Sequence, residues 1–385
     1  MDIVGLDLHK RELQLASTAP DGTITDRRIV TSRHRLTAVF GDRPRARMLL
    51  EASTESEWVA RLLEALGHEV IVADPNFAPM YATRSRRTKT DKRDARALMD
   101  ACETGAYRPA HRLADGRRHV RAELAVRDVL VATRTRCASL AKALVRRDGL
   151  RVPASDSRLV PTKITALVLS QTLADELAPL LAVYGPLNAQ SDAADDRLAA
   201  LEQSDPIVWL LTTAPGVGPV TAAAFVSTID DITRFASAHE LEADLGLVPS
   251  ERSSGERRQL GHITKTGNTR MRWLLVEAAW CILRSKSSET AALRGWASAI
   301  ITRRGKRIAA AALARRLAGI LFAMWRDGVA YDARKIRGAR PVGVRTRAVP
   351  LGDVRERAGE AVDGEGDTPC RTREPLWRSE IVPCR

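Results

Sequence analysis

The sequence predicts a mixed α/β domain at the amino terminus and a mainly helical remainder. Three observations carry this: short β-like runs cluster ahead of Asp74-Pro75, the first of them are separated by turn chemistry, and apolar residues take a 3-to-4 spacing further along. Asp2 to Leu8, Leu13 to Thr18 and Thr23 to Val30 read as three strands of a β-meander. Pro20-Asp21-Gly22 supplies the turn between the second and third, because proline presets φ and glycine accepts a positive φ. Arg47 to Leu50 is a fourth apolar run. After it Trp58, Leu62, Leu63 and Leu66 mark an amphipathic helix that ends at Gly67. Val70 to Ala73 is a fifth strand, so strands come first and then strand and helix alternate.

Residues 84–96 place seven basic side chains around two acids and lead into a helix from Ala95 to Cys102. From Val120 to Val145, Leu130, Cys137 and Leu144 repeat every seven residues with Leu124 and Leu140 close to the same face, the pattern of a long helix in a coiled coil. Pro153, Pro161, Pro179 and Pro186 are expected to break the next stretch into shorter helices. Residues 1–112 are therefore read as the α/β domain, 113–205 as a helical connector and 206–330 as a third, mainly helical part. The last holds an apolar run Ile207 to Leu211, an Ala-rich helix from Pro219, a polar loop from Pro249 to Gly267, and helices around Met271 to Arg284 and Ile308 to Arg326. Residues 331–385 show little periodicity and read as a mobile tail.

The chain has 385 residues, and 61 Lys plus Arg against 47 Asp plus Glu give +14, a balance that suits a polyanionic partner. Arg-rich codon usage would give the same sign. Five cysteines without a CxxC pair exclude a disulfide scaffold and imply no structural zinc. No uncharged 18-residue run occurs, and Arg315 and Arg316 interrupt the most apolar segment, so the expectation is a cytoplasmic protein without a membrane span.

Asp7 sits between apolar neighbours in the first strand, where a carboxylate is costly unless it is paired or binds a cation. Glu51 ends the fourth strand, and Asp91 and Asp94 stand three apart at a helix start, which puts them on one face. Four such carboxylates, from two strands and one helix, could converge on a pair of Mg²⁺ ions, or Mn²⁺ in their place, spaced about 4 Å apart as in two-metal phosphotransfer sites. Taken singly, Asp94 fits an ordinary helix start and Glu51 a solvated position. Arg86, Arg87, Lys89, Lys92 and Arg93 surround the two aspartates and could neutralise phosphate.

Pro215-Gly216-Val217-Gly218-Pro219 resembles the hairpin of a helix-hairpin-helix module, with Gly216 and Gly218 letting the backbone approach a phosphate. A structural turn fits equally well. No Gly-Lys-Ser/Thr follows it, so an ATPase reading has no support. Finally, Ser253 and Ser254 lie among Arg252, Arg257 and Arg258, with His262, Lys265, Asn268, Arg270 and Arg272 continuing the polar character. A serine becomes a nucleophile once a base or positive charge lowers the cost of its alkoxide, and arginines can hold a phosphate by bidentate bonds. A flexible DNA-contacting loop with small polar serines accounts for the same residues, and on the residues alone it is the stronger reading.

Val4-Gly5-Leu6-Asp7-Leu8-His9-Lys10, Glu51 after its strand, Lys89-Thr90-Asp91-Lys92-Arg93-Asp94-Ala95, Pro215 to Gly218, Gly246-Leu247-Val248-Pro249 through Ser254-Gly255, Gly261 to Lys265, and Gly267-Asn268 to Arg272 together resemble the IS110 type of bacterial insertion-sequence transposase. Piv-type DNA invertases look similar. The resemblance runs from about residue 2 to 330. It implies an RNase H-like (RuvC-like) DEDD domain with a tetrad at Asp7, Glu51, Asp91 and Asp94. It also implies a coiled-coil connector and a carboxy-terminal transposase domain whose essential serine falls on Ser254, with Ser253 in reserve. It further implies a structured noncoding bridge RNA, donor and target DNA as partners, and a homo-oligomer between dimer and tetramer. His9 departs from the small polar residue common in the family after the first aspartate. The resulting expectation is a transposase or site-specific recombinase that attacks DNA through Ser254 with Mg²⁺ on the tetrad. The alternatives are a metal-only nuclease resembling a Holliday-junction resolvase, and a non-catalytic nucleic-acid-binding protein with a decayed site.

Overall fold

The computed structural model describes residues 1–19, 21–82, 90–252 and 259–335. The chain divides into two compact units, Met1–Arg112 and Leu113–Arg385. The first is built on a five-stranded sheet of β1 (Asp2–Leu8), β2 (Glu12–Thr18), β3 (Ile24–Val30), β4 (Ala46–Glu51) and β5 (Glu69–Ala73), in the order β3-β2-β1-β4-β5. β1, β2 and β3 pair antiparallel, as a meander must, while β4 and β5 run parallel to β1. This mixed sheet fits an RNase H-like α/β fold. Helix α1 (Arg33–Phe40), which apolar spacing had not singled out, links β3 to β4, and its signal is Ser32, whose side chain caps the Arg35 amide. Helix α2 (Ser56–Ala65) links β4 to β5.

Alternation along the strands gives the sheet two apolar faces. Val4, Leu6 and Leu8 of β1 bury with Leu36, Phe40, Val59 and Leu63 of α1 and α2. On the opposite face Leu49 packs with Leu98 and Cys102 of helix α3 (Asp91–Thr104). Gly5 lies under α3, and a Cβ there would meet the Ala95 carbonyl oxygen at 2.1 Å and the Met99 amide nitrogen at 2.3 Å. Only a glycine lets the helix backbone come this close to the strand.

In the second unit, α4 (Asp115–Arg147) is a single 33-residue helix, about 50 Å long at 1.5 Å per residue. Its buried side is Leu124, Arg127, Arg134, Ala138, Ala141 and Val145, so the seam lies beside the row expected from Leu130, Cys137 and Leu144; Leu140 is half exposed. Small alanines and arginine stems share this side with Leu124 and Val145, facing the partner helices α6 (Gln171–Ala182) and α7 (Tyr184–Ser204), and Cys137 and Leu144 of the expected row pack at its margin. Proline acts differently at its several positions. Pro161 lies in the first turn of α5 (Val160–Thr165), where its missing N–H costs nothing, while Pro179 is accommodated inside α6 instead of ending it.

Leu124 and Leu198 join the same apolar cluster as α8 (Pro206–Thr212), α9 (Pro219–Ile229), α11 (Thr269–Arg284) and α13 (Lys306–Asp327). The run from Ile207 is thus a short helix, capped by the Asp205 carboxylate. Helices α10 (Ala238–Asp244) and α12 (Ala291–Arg304) complete the unit. The polar stretch expected as a loop contains a hairpin of β6 (Pro249–Glu251) and β7 (Leu260–Ile263). α13 is long and apolar enough to cross a membrane by length and composition, yet it buries Leu313, Leu317, Leu321 and Phe322 in this core. Its Arg315 bonds Glu242, and Arg316 stacks on Trp296 at 4.6 Å. Of the expected tail, Tyr331 packs against the same cluster and its amide donates to Thr213 Oγ1 at 3.1 Å; residues 336–385 lie outside the described residues.

Candidate active site

The close approach at Gly5 decides where the acids go. Odd-numbered residues of β1 face α3, so Asp7 lies one pleat beyond Gly5, toward the amino-terminal end of that helix. Leu6 pairs with Leu50 on β4, and the next step along both strands brings Asp7 and Glu51 to the same sheet edge and the same face. α3 begins there. Thr90, in extended conformation, caps it by accepting from the Arg93 amide, and Asp91 and Asp94 occupy the first turn. The helix is held in place by its other side, where Lys92 Nζ lies 3.2 Å from Asp26 of β3 and Arg96 also bonds Asp26.

Asp94 is buried and Asp7 nearly so, whereas Asp91 is exposed. Burial raises the Asp7 carboxyl above the usual carboxylate range, and repulsion from Asp94, Asp91 and Glu51 adds to the rise, while His9 pulls the other way. The four acids therefore form one electrostatic group. Glu51 Oε2 accepts from the Tyr81 hydroxyl at 2.5 Å, which orients it. His9 Nε2 lies 3.3 Å from Asp7 Oδ2 and 3.5 Å from Asp91 Oδ1, and one donor atom from each of the three residues fits within 4.8 Å. Crowded carboxylate oxygens at one sheet edge suit a divalent cation, since only added positive charge relieves their repulsion.

Sequence reasoning missed two members of this group. His9 had been noted only as a departure from a motif, although an i, i+2 step from Asp7 near a strand end was the available signal. Tyr81 is thirty residues from Glu51, and nothing in the local pattern of either one points to the other.

Several residues expected at phosphates are engaged otherwise. Arg272 is buried, and its guanidinium donates to the Leu245 carbonyl at 3.1 Å, to the Thr266 carbonyl and to Thr269 Oγ1 at 2.9 Å, so it ties the chain before α11 to that helix. Arg270 pairs with Asp128 of α4, with Nη2 to Oδ1 at 2.8 Å. Gly216 has φ +77°, and a Cβ there would meet the Ala278 carbonyl oxygen of α11 at 2.7 Å, so this glycine serves helix packing. Gly218 caps α9 in open space. Lys92 is exposed but shares Asp26, and Arg93, Arg252 and Lys265 are exposed. The Arg252 amide donates to the Gln259 carbonyl at 2.9 Å, extending the β6–β7 hairpin whose connection carries the serines. Ser253, Ser254, Arg257 and Arg258, like Arg86, Arg87 and Lys89, lie outside the described residues.

Comparison with known proteins gives concordant results. A DEDD transposase profile matches residues 4–147, and a profile for the IS116/IS110/IS902 transposase family matches residues 209–294. A protein of Pseudomonas aeruginosa named as a probable family 20 transposase is 29% identical over 332 residues, covering 83% of this chain and 96% of its own. The transposase for insertion sequence element IS1111A of Coxiella burnetii is 27% identical, with 84% of this chain and 89% of its own covered. The corresponding protein of IS1328 from Yersinia enterocolitica is 25% identical, with 86% and 98% covered.

Proposed function

The chain belongs to the IS110/IS116/IS902 transposases, enzymes of DNA cleavage and strand transfer, and on that premise we propose that it is a site-specific recombinase of an insertion sequence that cuts and rejoins DNA through Ser254. The observation that carries the acidic half of this reading is the convergence of Asp7 and Glu51 with the α3 first turn, Asp91 and Asp94. Asp7, Glu51, Asp91 and Asp94 would hold a divalent cation, Mg²⁺ or Mn²⁺, which supplies positive charge to the phosphate and its leaving oxygen. The Ser254 oxygen attacks phosphorus, a P–O bond to serine forms, and one bond to a DNA oxygen breaks, releasing a DNA hydroxyl. Attack by a second DNA hydroxyl then restores the serine. Each step exchanges one phosphodiester for another, so no nucleotide triphosphate is consumed. The net charge of +14 supports donor DNA, target DNA and a structured bridge RNA as partners of an oligomer.

The test is cleavage of donor and target DNA by the purified full chain with Mg²⁺ or Mn²⁺, followed by denaturing electrophoresis to trap a covalent adduct. Asp94→Asn is expected to lower cleavage by about three orders of magnitude while nucleic-acid binding persists. Ser254→Ala should abolish both the adduct and strand transfer. If Ser254→Ala and the Ser253/Ser254 double alanine variant cleave like wild type, and no adduct forms, the metal-only resolvase-like mechanism replaces it. Undiminished cleavage in EDTA would overturn the acidic-site reading.

A further inference from the structure

We propose that His9 is a nitrogen ligand of the cation held by Asp7 and Asp91, which turns an all-oxygen site into a mixed one that favours first-row transition dications over Mg²⁺. The inference rests on the reading of the acidic group as a metal site. Its geometry stands on three atoms: His9 Nε2, Asp7 Oδ2 at 3.3 Å and Asp91 Oδ1 at 3.5 Å from it. A charge-assisted N–H···O contact closes to about 2.7–2.9 Å, and both separations exceed that. Donors on one small dication, bound at about 2.0–2.2 Å, lie about 3.0–3.4 Å apart across an octahedral or tetrahedral edge. The observed spacing is close to such an edge.

The local chain explains why this nitrogen can reach. His9 follows the end of β1 and is two residues beyond Asp7, so the strand alternation carries its ring to the α3 side, where Asp91 opens the helix. Its side chain is 54% exposed, so a hydrated ion can reach the ring without prior unfolding of the strand. Asp94 is buried and Glu51 half-buried, and both add negative charge beside Asp7. Neutral imidazole is a good ligand for the later first-row dications, whereas Mg²⁺ prefers oxygen and retains water.

Mn²⁺ is the probe, because its electron spin reports coupling to a directly bonded ¹⁴N. Full-length protein freed of metal is loaded with Mn²⁺ and examined by electron spin echo envelope modulation, with Mn²⁺ and Mg²⁺ affinities measured by calorimetry. Wild type is expected to show ¹⁴N modulation of the imidazole type, and His9→Ala and His9→Gln to lose it. Glutamine retains hydrogen bonding but offers a metal its amide oxygen, so it restores a positioning role without restoring the nitrogen signal. Mn²⁺ affinity should fall about tenfold in His9→Ala while Mg²⁺ affinity changes less than about twofold. The exposed position of His9 makes both variants compatible with folding, which circular dichroism checks. Mn²⁺ bound to wild type without ¹⁴N modulation, or modulation retained in His9→Ala, overturns the role of His9 and leaves the acidic site standing. No Mn²⁺ or Mg²⁺ bound by wild type overturns both readings.

Discussion

Two regions of this molecule bury charge, and they do so in opposite ways. In the seam of α4, Arg127 bonds Asp195, and Arg158 lies 2.8 Å from Asp192 and 3.0 Å from Asp195; Arg134 donates to Asn188 Oδ1 at 3.4 Å. At the end of β1, Asp7 is surrounded by Asp94, Asp91 and Glu51, with His9 as the counterweight. The seam gives Arg127 and Arg158 carboxylate partners and Arg134 an amide oxygen, so its buried cations are met by opposite or neutral acceptors. The sheet edge collects like charges, which destabilises the fold unless a cation arrives. Burial of charge therefore points to function only where the neighbours repel.

The sharpest way to break this comparison is at Asp7. Asp7→Asn should lower cleavage by about three orders of magnitude, yet raise the thermal midpoint of the metal-free protein at neutral pH by a few degrees. The sign follows from the raised carboxyl. The folded state holds the Asp7 proton more tightly than the unfolded chain, so stability falls as pH rises from the ordinary carboxyl value of 3.8 through the raised one. Asparagine removes that loss, and the gain should vanish below pH 3.8, where both states of wild type are protonated. A lower midpoint for the variant in calorimetry would make Asp7 a stabilising group like those of the seam.

The seam makes the reverse prediction. Asp195→Leu leaves buried Arg127 without its carboxylate and is expected to cost about 2–3 kcal/mol in urea unfolding, the partial exposure of Asp195 keeping it under the value for a fully buried pair. Arg127→Met in the same chain should recover most of that loss, and no recovery would mean that the pair does more than match charge. The smallest effect belongs to Arg270→Ala, which breaks the part-buried pair with Asp128 at about 1 kcal/mol. It should leave the salt dependence of DNA binding unchanged. A slope reduced by about 0.9 would instead make Arg270 a phosphate contact.

Much of the first unit was legible in the residues. Strand alternation, Pro20-Asp21-Gly22 and the spacing of Trp58 to Leu66 sufficed for the five strands and for α2, and the apolar setting of Asp7 already marked it as costly. Helix α1 escaped because eight residues hold little more than two turns of apolar signal. In the second unit the heptad was visible but its face was misplaced by one row, since arginine stems and alanines occupy the seam and hydropathy scores the guanidinium rather than the stem. Arg270 and Arg272 bond Asp128 and the Leu245 carbonyl, partners that no local pattern announces. A basic residue in sequence carries no mark of the carboxylate or carbonyl that will meet it.

What the sequence determined by itself is local: which segments alternate, which turn, and which acids stand where a carboxylate is hard to accommodate. The pairing of those acids was decided only by tertiary structure. Gly5 lets the α3 backbone come down on β1, β4 pairs parallel to β1 in one register, and Tyr81 reaches Glu51 across thirty residues. The physical reason is range. Backbone propensity and capping act over a few residues, whereas the repulsion that sets the Asp7 carboxyl and the approach of His9 to Asp91 act through space, between groups that share an environment only once the sheet and helix have packed.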